Sequence, residues 1–230
     1  MPRLLLFDID GTLLDTGGAG GASLLDAAEE IFGVSRHELP PLDLAGATDG
    51  GVLRRLFNQV GHDFVPEAMQ AYLTCYLGHL NRRLQHENFA GQTLPGVGAL
   101  LAALHAQGGA DIGLLTGNVR RGAELKLARF DLSSWFVDGA FGDDAEDRNL
   151  LGPVAMQRMS QATGREYAVE DVIVIGDTPK DIACAHAIGA RCLAVGTGHF
   201  QADALRIHQP WQCLDHLLET DRICELLLKA

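Results

Sequence analysis

Near its start the chain reads Leu4-Leu5-Leu6-Phe7-Asp8-Ile9-Asp10-Gly11-Thr12, a short apolar run followed by two aspartates and a glycine. A continuous apolar run that is stopped by charge and a turn residue predicts a parallel strand buried on both faces, here over residues 4–9. Ligands of open α/β sheets bind outside the carboxyl ends of the strands. The two aspartates therefore mark one rim of a predicted sheet as a candidate site.

Three further apolar runs have the same character, at residues 112–115, 172–175 and 192–195, and a weaker one lies near 137–141. Helical signals fall between them, over about 94–107, after 118, from about 150 and over 179–189, where glycine or proline sets several of the ends. Strands that alternate with helices predict an α/β fold, a doubly wound parallel sheet with a Rossmann-like core.

Residues 17–91 interrupt this alternation. They contain no strand signal and predict three helices, roughly over 21–32, 50–60 and 67–84. We therefore expect an all-helical cap domain at 17–91, inserted into a core domain formed by 1–16 and 92–230. The glycine-rich stretch 17–21 and the stretch 88–93 are candidate hinges, because glycine permits large backbone excursions. A flexible loop without a gating role is the alternative.

The composition and charge of the chain indicate which kinds of partner and compartment to expect. The chain has 230 residues, 47% of them apolar, and a net charge of -12, which makes nucleic acid a poor partner. Its five cysteines form no C-x-x-C pair, which indicates reduced thiols. The first apolar run is too short for a signal peptide, and no segment is long enough to cross a membrane. We expect a soluble, cytoplasmic protein without a membrane or nucleic-acid partner; the sequence does not indicate its oligomeric state.

Acidic residues recur at the predicted strand ends. Asp8 and Asp10 follow the first strand, Asp177 follows the strand at 172–175, and Asp181 lies one helical turn further on. Crowded carboxylates repel one another unless a cation neutralises them. Oxygen ligands without a matching His or Cys cluster favour a hard cation, best Mg²⁺. Ordinary helix caps and turn formers are the alternative for these aspartates.

A polar tripeptide, Thr116-Gly117-Asn118, ends the second of the long predicted strands. The threonine hydroxyl, the backbone N–H groups that follow it and the next helix N-terminus together offer a cradle for an anion. A metal and an anion cradle on the same rim suit a phosphorylated substrate.

These motifs, Asp8-Ile9-Asp10-Gly11-Thr12, Thr116 and Gly176-Asp177 with Asp181, resemble those of the haloacid dehalogenase superfamily, and with the helical insertion the resemblance spans essentially the whole chain. It is strongest to the phosphoglycolate phosphatase-like branch, whose cap is a small helical bundle. The resemblance implies an Mg²⁺-dependent phosphatase.

In that family Asp8 would attack phosphorus to form an aspartyl-phosphate. Asp10 would protonate the leaving alcohol and then accept a proton from water. Mg²⁺ would be held by Asp8, the backbone carbonyl of Asp10, and Asp177. Thr116 and Asn118 would hold phosphate oxygens, and Asp181 would bind a metal-linked water or orient the basic residue.

Two departures from the family pattern stand out. The family usually has a lysine between its second and fourth motifs, but neither Lys126, Lys180 nor Lys229 sits where it is expected. We expect Arg148 to take that role and to contact phosphate, with Lys180 as the alternative residue. If Arg148 has no such role, it would be a solvent-exposed ion-pair partner of the neighbouring acids.

The second departure is in the cap. Related caps turn a segment like 45–49 toward the leaving group, so Gly46, Thr48 and Asp49 are candidate specificity residues, with simple helix capping by Thr48 or Asp49 as the alternative. The arginine that related turns often carry near Ala47 is missing.

The predicted function is therefore the hydrolysis of a small phosphorylated metabolite. A phosphosugar mutase of the β-phosphoglucomutase type would keep the same motifs and stays an alternative. A 2-haloacid dehalogenase is disfavoured by Asp10, since a halide leaving group needs no proton. Phosphonate hydrolysis is disfavoured because no lysine precedes Lys126. A non-catalytic binding module is disfavoured by the intact motifs. The substrate itself is not readable, because specificity lies in the cap.

Overall fold

The computed structural model describes residues 2–39 and 41–229; Met1, Pro40 and Ala230, which fall inside the predicted core and cap segments, lie outside the described residues. In chain order the strands of the described part are β1 (Arg3–Phe7), β2 (Leu14–Asp15), β3 (Gln92–Thr93), β4 (Ala110–Leu115), β5 (Gly139–Ala140), β6 (Val172–Gly176), β7 (Arg191–Val195) and β8 (Gln212–Leu214). Within those residues, six of them form one parallel sheet in the order β5-β4-β1-β6-β7-β8.

Helices cover both faces of this sheet. The helices of the described residues are α1 (Ala19–Phe32), α2 (Asp49–Val60), α3 (Pro66–Leu84), α4 (Val97–Gln107), α5 (Arg120–Arg129), α6 (Leu151–Thr163), α7 (Pro179–Ile188), α8 (Ala202–Arg206) and α9 (Thr220–Lys229). One apolar cluster joins the sheet to α4, α5 and α9, and a second joins it to α6, α7 and α8. The predicted α/β, doubly wound parallel sheet is confirmed.

The register of the central strands brings the candidate residues to one rim. Phe7, the last residue of β1, pairs with Leu114 on one side and with Ile175 on the other. Since parallel strands end at the same edge, the residues after β1, β4 and β6 face a common space. The first strand ends at Phe7 rather than at Ile9, because the Ile9 carbonyl accepts the amides of the turn that follows, including that of Leu13 at 2.8 Å.

Helices α1, α2 and α3 bury their apolar faces against one another and form an apolar cluster of their own. The two segments that connect this bundle to the sheet run side by side, because β2 and β3 pair antiparallel through Leu14↔Thr93 and Asp15↔Gln92. The glycine stretch that we expected to be a hinge is partly helical: α1 begins at Ala19 rather than at residue 21. Its left-handed residues are Gly17 and Gly18, with φ of 59° and 80°.

The carboxyl-terminal quarter contains elements that the sequence analysis did not predict. The three-residue strand β8 extends the sheet beyond β7, and α8 and α9 follow β7 and β8. The weak strand near 137–141 is present as β5, although only Gly139–Ala140 pair with β4. All five cysteines are free thiols. Among the helices described here, none has the length and apolar character needed to cross a membrane.

Candidate active site

A cavity of about 790 Å³ lies between the rim of the sheet and the helical bundle above it. Its floor contains the residues that follow β1, β4 and β6, and its roof is formed by the turn before α2 together with the start of α1. The rim of the sheet and the helical bundle therefore both contribute to one cavity.

Three carboxylates meet at the floor. Asp8, Asp177 and Asp181 are buried, and one oxygen from each lies within 4.8 Å of the others. Burial raises the pKa of Asp8 to about 6 even though Arg148 opposes the shift, and burial with the charges of Asp181 and Asp8 raises the pKa of Asp177 to about 8. Such crowded acid oxygens are the donor set of a hard divalent cation, so the cluster fits a metal ion of that class.

Within this cluster Asp181 is already engaged. One of its oxygens accepts the backbone N–H of Thr178 at 3.0 Å and the Thr178 hydroxyl at 2.6 Å, and the other pairs with Arg148. Of the two expectations for Asp181, a metal-linked water or the orientation of the basic residue, these contacts favour the second. Asp8 and Asp177 are then the side chains most available to a cation, and Thr12 braces Asp177 with a hydrogen bond of 3.2 Å.

The structure places Arg148 at the centre of the floor. The arginine is buried, and its Nη2 lies 3.2 Å from Asp8 Oδ1 and also pairs with Asp181. Its Nη1 donates to the carbonyl of Gly46, in the cap, at 3.1 Å. Its Nε is buried and has no hydrogen-bond partner among the described residues.

Lys180, the alternative cation, lies elsewhere. Its ammonium donates to Asp43 Oδ2 at 3.0 Å and to the Ala45 carbonyl at 2.8 Å, both in the segment before the turn that roofs the cavity. Its side chain is partly exposed and is not part of the cavity lining. The lysine therefore contacts the segment before α2, whereas the arginine contacts the carboxylate of Asp8.

We expect Arg148→Ala to lower kcat/KM by about tenfold to a hundredfold, the scale of a lost charge-assisted contact of about 1.5–3 kcal/mol. The variant should also be less stable, because Asp181, which is fully buried, loses its counter-charge. Arg148→Lys should recover part of the activity, since charge returns without the planar fork. Steady-state kinetics and thermal denaturation measure both effects. Loss of activity in Lys180→Ala with near wild-type Arg148→Ala would assign the role to the lysine instead.

The predicted anion cradle after β4 is also on the floor. Thr116 Oγ1 accepts the side-chain amide of Asn118 at 2.9 Å and the backbone N–H of Asn118 at 3.3 Å, which leaves the threonine hydroxyl hydrogen to donate to an anion. The same side-chain amide donates to Asp10 Oδ2 at 2.7 Å. The Asn118 side chain thus contacts Asp10 and Thr116 rather than pointing freely into the cradle; a phosphate contact by this amide would replace one of those bonds.

One charged residue of the site was missed by the sequence analysis. Lys126, on the inner face of α5, is buried, and its ammonium lies 2.6 Å from Asp10 Oδ2 and 2.6 Å from Asn118 Oδ1. A signal was available, because Lys126 shares the buried face of α5 with Gly122, Ala123 and Leu127. A lysine among small and apolar neighbours on the inner side of a helix needs a buried counter-charge, which here is Asp10.

The three predicted cap residues all lie against the core. The carbonyl of Gly46 accepts from Arg148, and Thr48 caps α2 while its hydroxyl donates to the Glu146 carbonyl at 2.5 Å. Asp49 accepts the Val119 N–H at 2.8 Å, and burial raises its pKa to about 6. Gly46 and Asp49 line the cavity, whereas Thr48 is committed to capping and docking.

The cap turn approaches the cradle so closely that it needs a glycine there. A Cβ on Gly117 would lie 1.9 Å from the Ala47 carbonyl oxygen, which no side chain tolerates. The Gly117 carbonyl also accepts the Asp49 N–H at 2.7 Å. The turn before α2 therefore rests directly on the loop that follows β4.

The chain is similar to known hydrolases along most of its length. The family model of the haloacid dehalogenase-like hydrolases matches residues 5–186. The chain is 28% identical over 210 residues to a phosphoglycolate phosphatase of Rhodospirillum rubrum, covering 86% of this chain and 81% of that protein. It is 25% identical over 240 residues to phosphoglycolate phosphatase 1 of Pseudomonas aeruginosa, covering 99% and 83%.

A solved structure shares the fold over almost the full length of both chains. A hydrolase from Pseudomonas syringae superposes with a TM-score of 0.72 at 18% identity, covering 99% of each chain.

Proposed function

The chain belongs to the haloacid dehalogenase-like hydrolase family, and from that premise we propose that it is an Mg²⁺-dependent phosphatase that hydrolyses a small phosphomonoester through an aspartyl-phosphate on Asp8. Its likeness to phosphoglycolate phosphatases along most of its length supports hydrolysis of a phosphoric monoester. The cap, which we assign to residues 17–91, encloses the leaving group and opens for exchange of substrate and product.

The observation that carries this proposal is the setting of Asp8. Its carboxylate lies at the floor of the cavity, within 3.2 Å of a buried guanidinium and beside a second acid, Asp177, that suits a divalent cation. A carboxylate nucleophile has to approach an anionic phosphate, so it needs this concentration of positive charge around the phosphoryl oxygens.

In the first half of the reaction an Asp8 oxygen attacks phosphorus, and the bond from phosphorus to the substrate oxygen breaks. The leaving oxygen takes the electron pair of that bond and receives a proton from the Asp10 carboxyl. Arg148 and the Thr116 hydroxyl bind the oxygens of the phosphoryl group while it passes between them. Asp8, Asp177 and the backbone carbonyl of Asp10 would hold Mg²⁺, which would supply further positive charge at those oxygens.

In the second half water replaces the alcohol. The Asp10 carboxylate, which lost its proton in the first half, accepts a proton from the water molecule as that water attacks phosphorus. The bond to Asp8 then breaks, which returns the Asp8 carboxylate and releases inorganic phosphate. The site thus returns to its starting protonation, with Asp10 acting as acid first and as base second.

We expect turnover to require Mg²⁺ and to fall at least about tenfold when Ca²⁺ replaces it, because Ca²⁺ takes more oxygen ligands at longer distances and competes for the attacking oxygen of Asp8. The assay measures phosphate release from 2-phosphoglycolate, glycerol 1-phosphate, glucose 6-phosphate and p-nitrophenyl phosphate, in Mg²⁺, Ca²⁺ or EDTA. Product analysis of the sugar phosphate separates hydrolysis from isomerisation. Full activity in EDTA, or no phosphate release from any ester, would contradict the proposal.

A further inference from the structure

The buried ammonium of Lys126 has a structural setting that the proposed reaction does not by itself explain. Its side chain is 4% exposed, and its two hydrogen bonds of 2.6 Å go to the carboxylate of Asp10 and to the side-chain carbonyl of Asn118. Burying a charged amine is costly unless it is paired and hydrogen-bonded. Burial at position 126 could equally be provided by an apolar side chain, so the presence of a charged amine beside Asp10 needs a separate explanation.

The two carboxylate oxygens of Asp10 have different surroundings, because Lys126 contacts one of them. Oδ2 accepts from the Lys126 ammonium and from the Asn118 amide, at 2.6 Å and 2.7 Å. The Asp10 side chain is nevertheless 42% exposed, and the residue lines the cavity. Because Oδ2 accepts these two hydrogen bonds, Oδ1 is the oxygen that remains to exchange a proton with the leaving group.

Lys126 also fixes which way the Asn118 amide points. An ammonium only donates, so the oxygen of the amide has to face Lys126. The nitrogen of the same amide then faces Asp10 and Thr116, and it donates to both, at 2.7 Å and 2.9 Å. One lysine thus orders the general acid directly and the residue after the anion cradle indirectly.

The cap completes this arrangement. Gly20, in the first turn of α1, covers the ammonium so closely that a Cβ there would lie 3.3 Å from Nζ and 3.7 Å from Cε. Because α1 lies in the proposed cap and α5 in the core, both parts of the chain contribute to the burial of Lys126.

We propose that Lys126 is a positioning residue that clamps Asp10 Oδ2, so that Oδ1 faces the leaving oxygen of the substrate. This inference rests on the proposed function, since it assigns Asp10 the transfer of a proton to that oxygen. Its distinguishing consequence is a dependence on the leaving group. An alkyl alcohol needs the proton, whereas p-nitrophenolate leaves with much less help.

The test compares Lys126→Met, which keeps the length of the side chain without its charge, with wild type on two esters: the most reactive alkyl phosphate of the panel above and p-nitrophenyl phosphate. We expect kcat/KM to fall about tenfold to a hundredfold on the alkyl ester and several times less on the aryl ester. In the double variant with Asp10→Asn, Lys126→Met should lower kcat/KM little further, because the acid that Lys126 positions is already absent.

Two controls keep the outcome interpretable. Lys229→Met removes a lysine whose side chain is 73% exposed and pairs along α9 with Glu225, so it should match wild type on both esters. Lys126→Gln, which is neutral but still donates, replaces Lys126→Met if the methionine variant does not fold; thermal denaturation reports this. Lys126→Arg should recover part of the selectivity for the alkyl ester.

Equal losses on the two esters, or losses that multiply with those of Asp10→Asn, would overturn the inference and leave Lys126 a structural residue. A wild-type protein that hydrolyses neither ester would instead contradict the proposed function, and this inference with it.

Discussion

Asp8→Asn is expected to fold and to lose kcat by at least about 10⁴-fold on every ester, because an amide oxygen cannot form the acyl phosphate. Folding should survive because the amide has the shape of the carboxylate and because burial already disfavours charge at Asp8, whose pKa is raised to about 6. Arg148 keeps Asp181 as its partner in the variant. The measurement is single-turnover and steady-state phosphate release.

Two precautions decide how a residual rate is read. Deamidation of the introduced asparagine would restore the aspartate, so mass spectrometry of the assayed sample has to exclude it. Asp203→Asn is the matched control, because Asp203 is 92% exposed and forms a surface pair with Arg206. A homogeneous Asp8→Asn sample with a tenth of wild-type activity would mean that another group attacks phosphorus.

Asp10→Asn should have the second largest effect, a loss of about 10²- to 10⁴-fold in kcat/KM on an alkyl phosphate. The amide keeps an oxygen for Lys126 but carries no acidic proton for the leaving alcohol. On p-nitrophenyl phosphate the loss should be smaller, since this leaving group departs as a stable anion. Rates on the two esters, measured side by side, give the comparison.

Some of that loss should be shared by both esters, because in the proposed mechanism water attack on the aspartyl-phosphate also needs Asp10 as base. A burst of p-nitrophenol followed by slow turnover would identify that second step as limiting. Identical losses on the alkyl and aryl esters, without a burst, would remove Asp10 from the acid role. Asp203→Asn serves again as the control for the change of charge.

The core of the fold was predictable because its strands are continuous apolar runs. The four strongest runs correspond to β1, β4, β6 and β7, and each is stopped by glycine or a polar residue. The strand β8 gave no such signal: its three residues, Gln212–Leu214, pair with β7 at one side of the sheet, and only the fold brings them there. With three residues, its sequence is too short to be distinguished from a loop.

The rim of the site was predictable for the same reason, since parallel strands of one sheet end together. That rule placed Asp8, Thr116 and Asp177 near one another without knowledge of any contact. Lys126 was not found in this way, because 116 positions along the chain separate it from Asp10 and its side chain reaches the rim from a helix. A charge on the inner face of α5 was the available clue, and it needed the packing of that helix to be interpreted.

The cap illustrates a further limit of sequence reasoning. Gly46, Thr48 and Asp49 were expected near the leaving group, and the turn that holds them does roof the cavity. Their hydrogen bonds, however, go largely to the core: Gly46 to Arg148, Thr48 to the Glu146 carbonyl, and Asp49 to Val119. The contact between the turn before α2 and the core is made by backbone groups, whose positions the sequence does not indicate. A glycine at position 117 alone therefore does not predict that this turn rests on it.

The stereochemical course at phosphorus tests the central claim, a covalent intermediate on Asp8, most directly. The substrate is a thiophosphate ester made chiral at phosphorus with a heavy oxygen isotope, hydrolysed in water that carries a third oxygen isotope. Attack by Asp8 and then by water inverts phosphorus twice, so the account predicts net retention in the released thiophosphate. Net inversion would show a single direct attack by water and would contradict the aspartyl-phosphate mechanism.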